Sequence, residues 1–144
     1  MEEAVTVFAA AIALKPNDPA LLLNSGTARI GISDHKGAIT FLEKAKSVAP
    51  SNAPIRVHLG YAYAMLKKFD TAIVEIKEAT RLDPQDEEVQ YFLGNLYLAN
   101  KNRDAAVAQQ MKIYTLNPEL GRRLFQNIYR NKILIAPPSS MGFE

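Results

Sequence analysis

Leu59-Gly60-Tyr61-Ala62-Tyr63 recurs 34 residues later as Leu93-Gly94-Asn95-Leu96-Tyr97, and that interval runs through the chain. Prolines fall on it at Pro16, Pro50, Pro84 and Pro118. Alanines follow at Ala4, Ala38, Ala72 and Ala106, and again at Ala11, Ala45 and Ala79 before the track becomes Ile113. Glycine extends the same step backwards to Gly26, ahead of Gly60 and Gly94. A fixed period of this size signals units that bury their apolar faces on each other. Glycine in one helix and alanine in the next remove bulk, so the two can approach at the close end of the usual ~8–10 Å range. Proline donates no backbone hydrogen bond and disfavours helix just before it, which enforces a turn between units.

The residues resemble the tetratricopeptide repeat, whose pattern is W-x2-L-G-x2-Y, then A-x3-F, then P. Leu59 to Tyr63 and Leu93 to Tyr97 match L-G-x2-Y, and Ala4 to Phe8 matches A-x3-F. The resemblance runs from residue 1 to about 120. It implies an all-α protein, a right-handed superhelical α-solenoid of stacked antiparallel helix pairs. Departures are specific. Leu22, Arg56 and Gln90 replace the tryptophan, Arg29 replaces one tyrosine, and the large apolar track Leu42, Ile76 ends in Gln110. A polar last unit suits the end of a stack.

Full units are expected at 19–52, 53–86 and 87–120, with first helices near 19–32, 53–66 and 87–100 and second helices near 36–49, 70–83 and 104–117. Asp18 before Pro19 is a start signal, and Asp34, Asp70 and Asp104 mark the second helices. Residues 1–18 read as the second helix of a truncated unit, 121–135 as a capping helix and 136–144 as an extended tail. The truncated unit leaves Val5, Phe8 and Ile12 with one side uncovered, a surface for self-association.

Seventeen basic and fifteen acidic residues leave a net charge of +2, so neither nucleic acid nor a membrane surface is an expected partner. No cysteine is present, which excludes disulfides and thiolate metal sites. His35, in a turn, and His58, on a helix, are the only histidines and lack HExxH spacing. The glycines follow the repeat and form no phosphate loop. No enzyme activity, cofactor or metal is expected. The absence of a signal or an apolar run of ~18 residues predicts a cytoplasmic location, or the periplasm if a leader was removed.

The resemblance places first helices on the concave face. Their outward stripe carries Leu23, Asn24, Thr27 and Ile30, then Val57, His58, Tyr61 and Met65, then Tyr91, Asn95 and Leu98. Aliphatic and aromatic side chains with interspersed amides suit a peptide-binding groove. Relatives that clamp acidic chaperone tails use lysine, arginine and asparagine where this chain has Leu23, Thr27, His58, Glu88 and Phe92, so acidic tails are not expected to bind. A protein-interaction module that helps assemble a complex is the first reading. The alternatives are a substrate-selecting part of a larger enzyme, such as an O-linked N-acetylglucosamine transferase, and a self-assembling scaffold. The asparagine ladder of that enzyme class is broken at Asn24, His58 and Phe92. A disordered terminus is the leading expectation for the apolar, proline-containing segment Ile133 to Phe143. The competing one is that it occupies a concave groove, its own or a neighbour's.

Overall fold

The computed structural model describes residues 2–142, so Phe143 lies outside the described residues. Among them are eight α-helices: α1 (Glu2–Leu14), α2 (Pro19–Gly31), α3 (His35–Val48), α4 (Ala53–Met65), α5 (Phe69–Leu82), α6 (Glu87–Ala99), α7 (Arg103–Leu116) and α8 (Pro118–Tyr129). A 3-10 turn follows at Ser139–Met141. The pairs α2–α3, α4–α5 and α6–α7 pack closely, and α3 meets α4 as α5 meets α6. This is an α-solenoid: each helix buries its apolar stripe on its sequence neighbours, which single short helices need for stability.

Side-chain caps set the helix starts. Asp18 accepts from the Ala20 and Leu21 amides, Asn52 from Ile55, Asp86 from Val89 and Asn102 from Ala105. Asp34 caps α3 through the Gly37 amide, so His35 is the first helical residue, not a turn residue. The turns inside each pair also repeat. Ser33, Lys67 and Lys101 take left-handed φ values of 62°, 58° and 60°. The following amides of Asp34, Lys68 and Asn102 reach back to the Arg29, Tyr63 and Tyr97 carbonyls at 2.8–2.9 Å. That is the Schellman closure, made here by non-glycine residues.

Glycines sit where helices touch. A Cβ on Gly26 would lie 2.5 Å from Leu42 Cγ, and one on Gly60 2.5 Å from Ile76 Cδ1. The next partner on that track is Gln110, which cannot fill the space. Leu124 of α8 takes its place against Gly94, while Gln110 donates to the Gly121 carbonyl at 3.2 Å. Two of the three tryptophan positions are polar for a reason. Arg56 donates to the Pro50 carbonyl and Gln90 to the Pro84 carbonyl, the same tie between units in two repeats. Between them, buried Glu75 accepts from Lys46 and Arg56, each at 2.8 Å.

The C-terminal helix begins earlier and ends sooner than 121–135. Asn117 caps it by accepting from Glu119 and Leu120, with Pro118 in its first turn. Asn131, at φ 50°, terminates it. Residues 132–138 then run without regular structure.

Candidate peptide-binding groove

The first helices form one layer: α2 touches α4, and α6 touches α8. Along their stripe, exposure falls from the N-terminal unit to the C-terminal one. Asn24 is exposed, but the equivalent His58 and Phe92 are 6% and 2% exposed. Thr27 and Tyr61 are half-buried, whereas the equivalent Asn95 is at 1%. Ile30, Ala64 and Leu98 are all buried. Five residues expected in the open groove are therefore covered: Ile30, Val57, His58, Asn95 and Leu98. The i, i+4, i+7 stripe is wider than the accessible strip, and its last position turns into the packing between units. Leu23, Asn24, Thr27, Tyr61, Met65 and Tyr91 retain exposure.

Two elements cover the C-terminal part. The first is α8. Asn127 donates to Asn95 Oδ1 at 2.9 Å and to the Tyr91 hydroxyl at 3.0 Å, while Asn95 donates to the Tyr91 carbonyl at 3.0 Å. Arg123 stacks 5.2 Å above the Tyr91 ring. Asn95 thus bonds to α8 and, at 1% exposure, is out of reach of a peptide backbone. Leu98 joins Ala106, Ile113, Leu124 and Ile128 in a small core under that helix.

The second element is the tail. Met141 is 4% exposed and, with Ser140, walls a cleft of about 230 Å³ that Val57, His58 and Val89 also line. Pro137, Pro138 and Ser139 line a second cleft of about 160 Å³ with Glu88, Tyr91 and Arg123. The Ser139 amide donates to Glu88 Oε2 at 2.6 Å and its hydroxyl to Oε1 at 3.1 Å. The described part of the segment is ordered in its own groove, which corrects the expectation of a disordered terminus. Burial of Met141 and Pro138 offsets the ordering of a short chain.

Charge in the Met141 cleft is negative, from Asp83 and Asp86, while the second cleft pairs Glu88 with Arg123. His58 lies beneath, its Nδ1–H donating to the Pro54 carbonyl at 2.7 Å. Burial holds His58 below its ordinary pKa, partly offset by that hydrogen bond. Burial raises Tyr61, whose ring bridges His35 at 6.3 Å and Phe92 at 6.2 Å. Burial, with help from Glu43, pushes Tyr63 up to about 12.

At the other end, Val5, Phe8 and Ile12 are half-buried against the stack, and Ile12 joins the main core. Phe8 and Ala4 line a shallow apolar cleft with Asn24 and Thr27. The large exposed apolar residues of α1 are Val7 and Leu14, at 64% and 85%. Helical phase explains the shift, because the A-x3-F track is the one turned toward α2. Glu88, Ser139 and Met141 were not singled out for the groove; the available signal was an apolar tail whose prolines bar it from a helix. Among the described residues, no helix is long and apolar enough to cross a membrane, and no group of three or more His, Cys, Asp or Glu could hold a metal ion.

Two family models, each described as tetratricopeptide repeat, match residues 33–90 and 87–120. No curated protein sequence matches significantly. A crystal structure of MamA is similar with a TM-score of 0.82 at 22% identity, covering 95% of this chain and 81% of that one. MamA 41-end from Desulfovibrio magneticus RS-1 gives 0.77 at 26% identity, covering 82% and 67%. The first TPR of Spaghetti (RPAP3) bound to HSP90 peptide SRMEEVD gives 0.71 at 19% identity, covering 78% and 91%.

Proposed function

Because the chain belongs to the tetratricopeptide-repeat family, we propose that it is a protein-interaction module that receives an extended peptide of a partner on its concave face and helps assemble a larger complex. One observation carries this reading. Residues 137–141 already lie on that face, Pro138 in polyproline geometry and Ser139–Met141 as a 3-10 turn, with a main-chain amide on Glu88 and the Met141 side chain buried. A surface that holds one short segment through a main-chain hydrogen bond and a buried side chain has the features of peptide recognition. The open strip Leu23, Asn24, Thr27, Tyr61 and Met65 continues toward the cleft beside Phe8 and supplies further apolar contact.

The ligand is not an acidic chaperone tail. Where a terminal carboxylate would need cations, this face offers Leu23, Thr27, His58, Glu88 and Phe92, and Glu88 repels it. Titration calorimetry with such a peptide is expected to give no binding, and micromolar affinity would contradict the reading.

The direct test compares proteins retained from the native cell by the intact chain with those retained by Tyr61→Glu and Met65→Glu. Val74→Glu, on an exposed position of α5, serves as the control. Partners should be lost with the groove variants and kept with the control. Retention by all four proteins would refute groove binding.

A further inference from the structure

The tail is seated by two different interactions. Glu88 grips the Ser139 amide and hydroxyl together, at 2.6 and 3.1 Å. Met141, two residues on, is 4% exposed, joins the main core and walls an apolar cleft between α4 and α6. Between these points the backbone closes on itself, with the Met141 amide on the Pro138 carbonyl and the Gly142 amide on the Ser139 carbonyl, each at 3.0 Å. Gly142 ends the turn at φ 73°. Pro138, at φ −58° and ψ 146°, holds the approach in the polyproline conformation, which limits the entropy lost on docking. The helical stack does not need this segment to close any helix pair. Every pair from α2 to α7 is complete without it, and α8 covers the last of them.

We propose that residues 136–142 are a built-in, exchangeable ligand of the α4–α6 cleft, and that the partner segment replacing them carries the same chemistry. That segment is proline-containing and ends in a tight turn. It presents a small residue with a free amide and hydroxyl to Glu88, and an unbranched apolar side chain two residues later to Val57 and Val89. It is neutral or basic beside its apolar residue, because Asp83 and Asp86 line the Met141 cleft, whereas Glu88 shares the second cleft with Arg123. This deepens the groove reading above and rests on it.

An internal ligand competes at an effective concentration on the order of millimolar. A free peptide with one apolar anchor and two hydrogen bonds has an affinity on the order of 10–100 μM. Freeing the cleft should therefore tighten binding of an external copy roughly 10–100-fold.

The test uses the full chain and a labelled peptide of the sequence Leu134 to Gly142, followed by fluorescence anisotropy. Met141→Asp removes the internal anchor, and Ser139→Pro removes the amide that Glu88 accepts. Either variant should bind the peptide roughly 10–100-fold more tightly than the natural chain. Adding Glu88→Gln should weaken that binding at least about fivefold. Circular dichroism checks that each variant keeps its helices; if one does not, the other carries the result. Binding by both folded variants no tighter than by the natural chain overturns the proposal. In that event, partners still lost from Tyr61→Glu would leave the groove reading intact. Conversely, tight peptide binding with no partner sensitive to Tyr61→Glu would sink the groove reading and keep this one.

Discussion

Replacing Gly26 with alanine asks whether the glycine track is a steric requirement of the stack. The new Cβ would lie 2.5 Å from Leu42 Cγ, 2.7 Å from Cδ2 and 3.1 Å from Cδ1. Carbon atoms in contact sit ~3.5–4.0 Å apart, so Leu42 must retreat by about 1 Å. Leu42 is fully buried, so its retreat displaces close-packed neighbours. Overpacking of this kind costs ~1–3 kcal/mol, and the better helix propensity of alanine returns ~0.8–1 kcal/mol. The expected net loss is about 0–2 kcal/mol. Leu42→Ala alone should cost ~2–5 kcal/mol through the cavity it leaves. In that background all three close atoms are gone, so Gly26→Ala should become stabilising by ~0.8–1 kcal/mol. Urea denaturation of the four proteins measures the cycle, with a coupling of about 1–3 kcal/mol and no change in slope. If Gly26→Ala costs the same in both backgrounds, the glycine is there for some reason other than Leu42.

Three further outcomes follow from other parts of the molecule. Lys67→Gly and Lys101→Gly each relieve a left-handed conformation at φ 58° and 60°, and each should raise stability by up to ~1 kcal/mol in the same assay. Glu75→Gln leaves Lys46 and Arg56 half-buried without their shared carboxylate; a loss of ~1–3 kcal/mol is expected, and no loss in thermal denaturation would deny the network a structural role. His58 has a folded-state pKa held below its unfolded value by burial. The unfolded chain therefore takes up the proton first, so the stability contributed by neutral His58 is present above pH ~6.5 and is lost as pH falls below it. His58→Gln should flatten that slope between pH 7 and 5.5, and an unchanged slope would assign it elsewhere.

Periodic small residues made the helix pairs legible in the sequence, since Gly26 and Gly60 can face Leu42 and Ile76 only if each pair repeats the last. The same regularity misled at the third unit. Gln110 reads as a gap, and nothing local announces that Leu124 from a non-repeating helix will fill it. The stripe residues were found by helical phase. Phase does not say how much of a stripe a neighbour covers, which is why Ile30 and Leu98 read as groove residues and lie buried.

From the sequence alone came the solenoid, the helix order and the caps Asp18 and Asp34, because these depend on contacts between residues near one another or one repeat apart; Asp70 and Asp104 lie inside the first turns they were expected to start. The tertiary structure alone decided which part of the concave face stays open. That depends on Asn127 reaching Asn95 and on Ser139 reaching Glu88 across 51 positions. Such long-range contacts follow no period, and their hydrogen bonds and buried surface exist only once the stack has formed.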